Sequence, residues 1–192
     1  MKIAIITSIF GTEQTLHDPV VKFDSADYIA FVDREHDSKV WKQIQSVSFS
    51  LDVEYKGRRD AKIYKILPHL FLPDYDYWIW IDPTHEPIMD PIKICADMGD
   101  KDIGLFTHPH RDCAFEEANE VSRLGYDNPG WIQRQLDYYS GCGFPKNYGL
   151  YELPAFVRKN TSNVQELNLK WWELTCRYTF YIVGYEDFPS YF

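Results

Sequence analysis

The chain has 192 residues, of which 45% are hydrophobic and 17% aromatic, so it can build the core of one ordinary domain. A net charge of −9 argues against a protein that binds nucleic acid through a broad basic surface, because attraction to phosphates dominates that binding. No apolar run approaches the roughly 20 residues that a transmembrane helix needs, and the scattered cysteines indicate reduced thiols, so we expect a cytoplasmic protein.

Two buried strands and one helix are predicted in the first quarter of the chain. Lys2–Ile9 and Tyr28–Val32 are short apolar segments, as expected of strands that are covered on both faces. Ser38 is placed to cap a helix whose apolar face carries Trp41, Ile44 and Val47.

The middle of the chain predicts a helix followed by the strongest strand. Arg58–Phe71 has a helical pattern that Pro68 kinks or ends early. Tyr75–Asp82 reads YDYWIWID, a run of large apolar residues that stops at a carboxylate, and Ile103–Phe106 is another short apolar strand.

Three helices and one further strand are predicted in the second half. A helix begins near Asp112 and stops at Gly125, and Asn128-Pro129 is a cap and first-turn pair for the next helix. Pro154–Arg158 is predicted as a strand, and the capping-box spacing within Ser162–Gln165 predicts the start of a final amphipathic helix.

Alternating strands and helices predict an α/β fold with a mostly parallel central sheet. In such sheets ligands collect at the carboxyl ends of the strands. Asp33, Asp82 and His108 each follow an apolar strand, so we expect them at the same edge of the sheet.

Asp82 is the best candidate for holding a divalent cation, because a carboxylate at the end of a buried strand can bind a metal that neutralises a diphosphate. Thr84 could add a hard oxygen ligand, and His85 or Glu86 a further one. The alternative is that Asp82-Pro83 only caps a turn, since aspartate is frequent at turns for local hydrogen-bonding reasons.

Several basic side chains are candidates for phosphate binding. Arg59 and Lys62 are three residues apart near a helix start, so they share a face, although a solvated charged face is the commoner explanation. His108 and Arg111 precede a helix whose N-terminus favours anions. Glu117 in the first turn of that helix is expected, like its neighbour Glu116, to complement the helix dipole.

Six aromatic residues have side chains that suit stacking on sugars, although the tryptophans of the strand are better explained as core residues. The six are Trp78, Trp80, Tyr138, Tyr139, Trp171 and Trp172.

Four segments, in this order, resemble the glycosyltransferase-like domain related to plant pectin and mucilage biosynthesis proteins. They read RRDAKIYKILPHLFLPDYDYWIWID, FTHPHRDCAFEEANEV, DNPGWIQRQLDYYSGCGFPKNYGLYE and VQELNLKWWELTCRYTF. The resemblance runs from about Tyr28 to Phe180, and the ordered succession of segments is far more specific than any one of them.

This resemblance implies a nucleotide-sugar-dependent glycosyltransferase of the GT-A type. It implies one Rossmann-like three-layer domain over residues 1–192, served by Mn²⁺ or Mg²⁺. The partners would be a nucleotide sugar and a glycan acceptor, without nucleic acid or a transmembrane segment, and peripheral membrane contact stays open.

The resemblance also implies roles for individual residues. Those near the nucleoside, the diphosphate and the sugar would be Thr7, Phe10, Gly11, Asp33, Arg59, Lys62 and Thr84. Asp82, Thr84 and His85 would face the metal, and the catalytic residues would be Asp82, His108 and Arg111.

The chain departs from the family pattern at two points. Where the family commonly has W-I-D-G-N, this chain has Trp80–Thr84 (WIDPT), whose proline stiffens the turn and removes an amide. After a block like CRYTF the family typically continues R-D-Q-x-S-F, whereas this chain continues YIVGYED, with carboxylates at Glu186 and Asp187. The alternative function is therefore a catalytically silent relative, truncated or divergent beyond Phe180, that binds nucleotide or glycan without turnover.

A third hypothesis is a metal-dependent phosphohydrolase. The sequence supports it less than the other two, because such an enzyme normally needs more carboxylates at strand ends.

Overall fold

The structure of the protein, a computed structural model, describes residues 1–11, 15–46, 56–126 and 128–177. The described residues form six strands and six helices. In chain order these are β1 (Ile3–Ile9), β2 (Asp27–Val32), β3 (Lys42–Gln45), α1 (Lys56–Ile66), α2 (Pro68–Phe71), β4 (Tyr77–Ile81), α3 (Pro91–Asp97), β5 (Ile103–Thr107), α4 (Ala114–Arg123), α5 (Pro129–Gly141), β6 (Tyr151–Lys159) and α6 (Ser162–Arg177). None of the described helices is both long and apolar enough to cross a membrane.

One six-stranded sheet organises the chain, with strand order β3-β2-β1-β4-β6-β5. β1 pairs in parallel with β2 and with β4, and β2 pairs in parallel with β3. β6 runs antiparallel to β4. The prediction of a mostly parallel α/β sheet is confirmed.

Residue contacts divide the chain into two compact units. Unit 1 comprises Met1–Gly104 and Pro154–Trp172. Unit 2 comprises Leu105–Leu153 and, within the described chain, residues 173–177.

Unit 1 has helices on both faces of its strands, because alternate residues of the strands point to opposite sides. On one face, strand residues such as Ile5 and Ile79 pack with Cys95 of α3 and Met98. On the other face, Tyr64 of α1 stacks on Phe31 of β2 with ring centroids 4.1 Å apart. All seven residues of β1 are buried, which explains why its sequence is almost wholly apolar.

Unit 2 contains a smaller core between α4 and α5. Ala118 and Val121 of α4 pack with Ile132 and Leu136 of α5. Asn128 caps α5, since its side chain accepts a hydrogen bond from the Gly130 amide, as the Asn-Pro pair predicts.

The helix predicted after Ser38 is wrong. Lys42–Gln45 forms β3, in which Ile44 pairs with Phe31 of β2. Ser38 closes a turn instead, because its hydroxyl accepts a hydrogen bond of 3.0 Å from the Trp41 amide. So short a segment does not distinguish helical from strand periodicity, and pairing with β2 decides its structure. Val47, the third residue of the predicted face, lies outside the described residues.

Two helix starts also differ from the prediction. α3 was not predicted, although Asp90 caps it by accepting a bond from the Ile92 amide and Pro91 fills the first turn. The capping hydroxyl of α6 belongs to Thr161, one residue before the predicted Ser162, and lies 3.4 Å from the Val164 amide.

Candidate functional site

β1, β2 and β4 of unit 1, which run parallel like their neighbour β3, end at the same edge of the sheet, where ligands bind in open α/β folds. β1 lies between β2 and β4, so the order of strands reverses at the β1–β4 pair. The carboxyl ends of strands at such a switch point border a crevice. The residues that follow these strands are Phe10 with Gly11, Asp33, and Asp82.

The loop after β1 is fixed by Asp33 and Arg34. The Asp33 carboxylate accepts a hydrogen bond of 2.7 Å from the Gly11 amide. The Arg34 guanidinium donates to the Gly11 carbonyl and lies 3.5 Å from the Asp33 carboxylate. Gly11 has a φ of +90°, which favours glycine, so Asp33 and Arg34 hold a loop that another residue would strain.

Thr7 in β1 and Phe10 in this loop are buried rather than at the surface. Thr7 is 1% exposed and Phe10 is 9% exposed, and Phe10 stacks on Tyr64 with ring centroids 5.7 Å apart. The Thr7 hydroxyl has no hydrogen-bond partner among the described residues. Of the three residues predicted to border a nucleoside after β1, only Gly11 is more than 9% exposed.

Among the residues that the structure describes, two side chains orient Asp82 at the tip of β4. The indole Nε1 of Trp80 donates a hydrogen bond of 2.7 Å to Asp82 Oδ1, and Lys65 Nζ lies 3.7 Å from the same oxygen. The Asp82 side chain is 38% exposed, so its carboxylate reaches solvent. The backbone of Asp82 also closes a turn, since its carbonyl accepts from the His85 amide at 2.9 Å. Asp82 is therefore both a turn residue and an oriented carboxylate.

Lys65 is the residue of this site that the sequence analysis missed. Its side chain is only 6% exposed, and its ammonium lies 5.5 Å from the ring centroid of Trp80 and 5.8 Å from that of Phe156. A buried ammonium is costly without a counter-charge and favourable ring contacts, and Asp82 supplies the charge. The available signal was a lysine within the buried run of α1, between Tyr64 and Ile66.

Arg158 of β6 fixes the end of α1 that carries Lys65. Its guanidinium donates to the carbonyls of Lys65 and Ile66 and to the side chain of Asn168. It is 2% exposed, and its guanidinium carbon lies 4.7 Å from the ring centroid of Phe156. Because the last carbonyls of a helix lack intrahelical partners, this arginine acts as a C-terminal cap made by another element.

The structure describes only one of the two basic side chains of α1 that were predicted to bind phosphate. Arg59 lies on α1, but its side chain is outside the described residues. Lys62 is partly buried, three residues before Lys65. That either of them faces the same crevice as Asp82 stays a prediction.

The predicted metal ligands form a sparse set. The Thr84 hydroxyl lies 3.0 Å from His85 Nδ1, and both residues are exposed in the turn that follows Asp82. Within the described part of the chain, no group of three or more His, Cys, Asp or Glu side chains is placed to hold a metal ion. A divalent ion at Asp82 would need oxygens from a bound diphosphate, as Mg²⁺ sites commonly do. Glu186 and Asp187 lie outside the described residues.

In unit 2, His108 and Arg111 belong to one polar cluster, in which His108 and Glu117 are buried and Arg111 and Glu152 are partly exposed. Arg111 Nε donates to the Glu117 carboxylate, and His108 Nε2 lies 3.5 Å from both Glu117 and Glu152. Glu117 does begin α4, but it is buried and paired with Arg111. Sequence analysis missed Glu152, which lies in β6 about 40 residues along the chain from His108 and carries no local motif.

Trp78 and Trp80 are core residues, as the sequence analysis expects, and Trp171, a candidate for stacking on a sugar, is a core residue too. Trp78, Trp80 and Trp171 are at most 4% exposed and belong to the core. Tyr138 is 46% exposed on α5.

Comparison with known proteins gives two matches. The model of the TOD1/MUCI70, glycosyltransferase-like domain family matches residues 1–168. The chain is also similar to an Arabidopsis thaliana protein described as probable hexosyltransferase MUCI70, with 32% identity over 114 residues. This similarity covers 57% of the chain and 18% of the plant protein, so the chain spans only a small part of that relative.

Proposed function

The chain belongs to the TOD1/MUCI70 glycosyltransferase-like domain family, and on that premise we propose that it is a nucleotide-sugar-dependent glycosyltransferase. It would transfer a sugar to a hydroxyl of a glycan acceptor. The observation that carries the proposal is the Asp82 carboxylate, held by Trp80 and Lys65 at the strand end where α/β sheets bind ligands. The similarity to a probable hexosyltransferase supports a hexose as the transferred group.

Cations near Asp82 would stabilise the departing nucleoside diphosphate. In the transfer, the bond between the anomeric carbon and the diphosphate would break, the acceptor oxygen would bond to that carbon, and the proton of the acceptor hydroxyl would pass to the departing diphosphate or to solvent. Lys65 is fixed beside Asp82, and Lys62 and Arg59 lie on the preceding turns of the same helix. Positive charges placed in advance where negative charge develops are usually the largest catalytic contribution of such sites.

The proposal includes a divalent ion, which the protein and the diphosphate would bind together. Asp82 and Thr84 would hold Mn²⁺ or Mg²⁺, which neutralises diphosphate charge when bound. Asp82 would contribute an oxygen while Trp80 and Lys65 hold its orientation. The GT-A type of fold is likewise proposed, supported by the mostly parallel sheet with its switch point at β1 and β4.

The proposal is tested by measuring nucleotide binding and sugar transfer in the unmodified protein and in one variant, Asp82→Asn. Isothermal titration calorimetry with UDP and GDP, with and without Mn²⁺, measures binding, and release of free sugar or transfer to glycan mixtures measures turnover. Asp82→Asn keeps the shape of the side chain but removes its charge, so we expect metal-dependent nucleotide binding to fall about tenfold or more. Asp100→Asn is the matched control, because Asp100 is exposed and pairs only loosely with Lys101 at 3.9 Å.

A catalytically silent relative is the second candidate function. It is favoured by the sequence departure after CRYTF, since the typical R-D-Q-x-S-F block is replaced there by YIVGYED. Nucleotide binding that depends on Asp82, combined with no turnover in any acceptor mixture, would support this candidate. Equal nucleotide affinity of the Asp82→Asn and Asp100→Asn proteins would contradict the proposed transferase and a silent relative that binds nucleotide at Asp82.

A further inference from the structure

A buried asparagine interrupts the apolar face of α6. Val164, Asn168 and Trp171 follow one another at helical spacing and are at most 4% exposed, with Asn168 at 0%. A buried amide costs free energy unless it is hydrogen-bonded, so this residue needs partners inside the protein. Asn168 contacts Arg158 of β6 and His69 of α2, and we call these three side chains the buried network.

The contacts of Asn168 fix which way its amide points. A guanidinium can only donate, so the Asn168 oxygen faces Arg158 and accepts from it. The amide NH2 then faces His69 and donates to its Nδ1 across 3.3 Å. A ring nitrogen that accepts carries no proton, so His69 is neutral, with its hydrogen on Nε2. The buried network is therefore consistent with one protonation state of His69.

The surroundings of His69 favour that neutral state. Its ring is buried against Trp78, with 6.4 Å between ring centroids, and its Nε2 has no hydrogen-bond partner among the described residues. Burial, and then the charge of Arg158, lower the pKa of His69 below the usual 6.5. Trp78 of β4 and Asn168 of α6, which also face the ring, carry no charge. A proton on Nδ1 would set two donors against each other, so the bond to Asn168 exists only in the neutral form.

Arg158 connects the buried network to the Asp82 site. Its Nη1, which donates to Asn168, also donates to the Ile66 carbonyl at 3.1 Å, and its Nη2 donates to the Lys65 carbonyl. Asn168 thus helps to fix the rotation of the guanidinium that holds the end of α1. The Lys65 ammonium lies 3.7 Å from the Asp82 carboxylate, so the position of this helix end decides where that charge is.

We propose that Asn168 and neutral His69 are positioning residues of the Asp82 site, which act through Arg158 to keep Lys65 beside Asp82. They do not touch the nucleotide. Taking the ligand to be a nucleoside diphosphate rests on the proposed function, whereas the buried network does not. Nucleotide affinity should be complete while His69 is neutral and should fall as the pH drops through the pKa of His69 in the folded protein.

The buried network is tested by nitrogen-15 NMR of the histidine rings in the full chain without nucleotide. We expect His69 to carry its proton on Nε2 at pH 7. Asn168→Asp keeps an acceptor for Arg158 but presents a carboxylate to His69, so the pKa of His69 should rise. Asn163→Asp, at an exposed asparagine of the same helix, should leave that pKa unchanged. A proton on Nδ1 at pH 7, or an equal pKa in the two variants, would overturn the network.

Calorimetry with UDP and Mn²⁺ at pH 7.5 tests the positioning role. Asn168→Leu keeps most of the side-chain volume and removes both hydrogen bonds. We expect UDP affinity to fall about fivefold or more, because the guanidinium of Arg158 loses one of the groups that orient it. Asn163→Leu is the control and should bind UDP normally.

The pH dependence of UDP affinity separates positioning from a general effect on folding. His69→Gln offers Asn168 an amide oxygen that does not titrate. Between pH 7.5 and 5, the unmodified protein should lose about threefold more affinity than His69→Gln. His17→Gln, at an exposed histidine, should follow the unmodified protein. Protonation of UDP itself affects all three proteins equally, so their difference reports on His69.

The outcomes distinguish this role from the proposed function. If UDP binds but Asn168→Leu and Asn163→Leu bind it equally, or if His69→Gln and the unmodified protein share one pH profile, the positioning role is overturned and the transferase stands. If Asn168→Leu does not fold, the pH profile of His69→Gln decides. No UDP binding by the unmodified protein would contradict the proposed function and the positioning role together, whereas the NMR titration would still support or overturn the buried network.

Discussion

Lys65 illustrates what one buried charge can do for a site. Its ammonium lies 3.7 Å from the Asp82 carboxylate and over the rings of Trp80 and Phe156. Burial makes its ammonium weakly hydrated and fixed, so a diphosphate at the strand end would gain more from it than from a mobile surface lysine. We therefore expect Lys65 to contribute more to the proposed electrostatic stabilisation than an exposed lysine would, although the sequence analysis did not select it.

Replacing Lys65 with methionine should separate this role from folding. Methionine fills most of the same space without the charge, and the remaining Asp82 carboxylate is 38% exposed and can be hydrated. We expect the free energy of unfolding to change by no more than about 2 kcal/mol, and UDP affinity to fall at least about tenfold. Urea unfolding and calorimetry measure the two quantities, with Lys93→Met on the exposed face of α3 as control. Undiminished UDP affinity would remove Lys65 from the site.

His69 predicts a dependence of stability on pH. Burial, and then the charge of Arg158, lower the pKa of His69 below the usual 6.5. As the pH falls below 6.5, the unfolded chain takes up a proton at this histidine before the folded chain does, so folding stability should fall. In urea unfolding between pH 7.5 and 5, His69→Gln should reduce this loss, whereas His85→Gln, at an exposed histidine, should not. A pH dependence that is the same in all three proteins would show that other groups cause it.

At the level of elements, the end of α1 depends on an arginine of β6 that lies 92 residues after Ile66 in the chain. Arg158 donates to the carbonyls of Lys65 and Ile66, which have no helical partners of their own. Lysine cannot reproduce this forked geometry, because it carries a single ammonium group. We expect Arg158→Lys to cost about 2–4 kcal/mol of unfolding free energy and to weaken UDP binding, because Lys65 then loses its fixed position.

Urea unfolding checks the stability part of that prediction, and calorimetry on the folded variant checks the binding part. Arg123→Lys is the control, since Arg123 forms an exposed pair with Glu120 on α4. A destabilised Arg158→Lys protein that binds UDP with normal affinity would limit Arg158 to a structural role.

The elements that sequence predicted well are those whose signals are local. β4 was predicted correctly because a run of large apolar residues indicates a buried strand. The start of α5 was predicted correctly because Asn128 supplies the cap and Pro129 the first turn. β3 was mistaken for a helix because its pairing with β2 is a tertiary interaction that a short segment does not encode. α3 carried a readable cap at Asp90 that the analysis did not use.

At the scale of the whole molecule, the alternation of strands and helices was enough to predict a mostly parallel α/β sheet. That prediction also placed Asp33 and Asp82 at the carboxyl edge of the sheet. Their partners were not predictable, because the rotation of α1 that brings Lys65 to Asp82 depends on packing against β2 and on Arg158. Glu152 was missed for the same reason, since only the fold brings it to His108.

The most direct test of the account is a crystal structure of the protein soaked with UDP and Mn²⁺. The account predicts diphosphate density at the carboxyl ends of β1 and β4, with Lys65 or a manganese ion held by Asp82 in contact with a phosphate oxygen. A nucleotide bound elsewhere, with the Asp82 carboxylate still held by Trp80 and Lys65, would contradict the central claim.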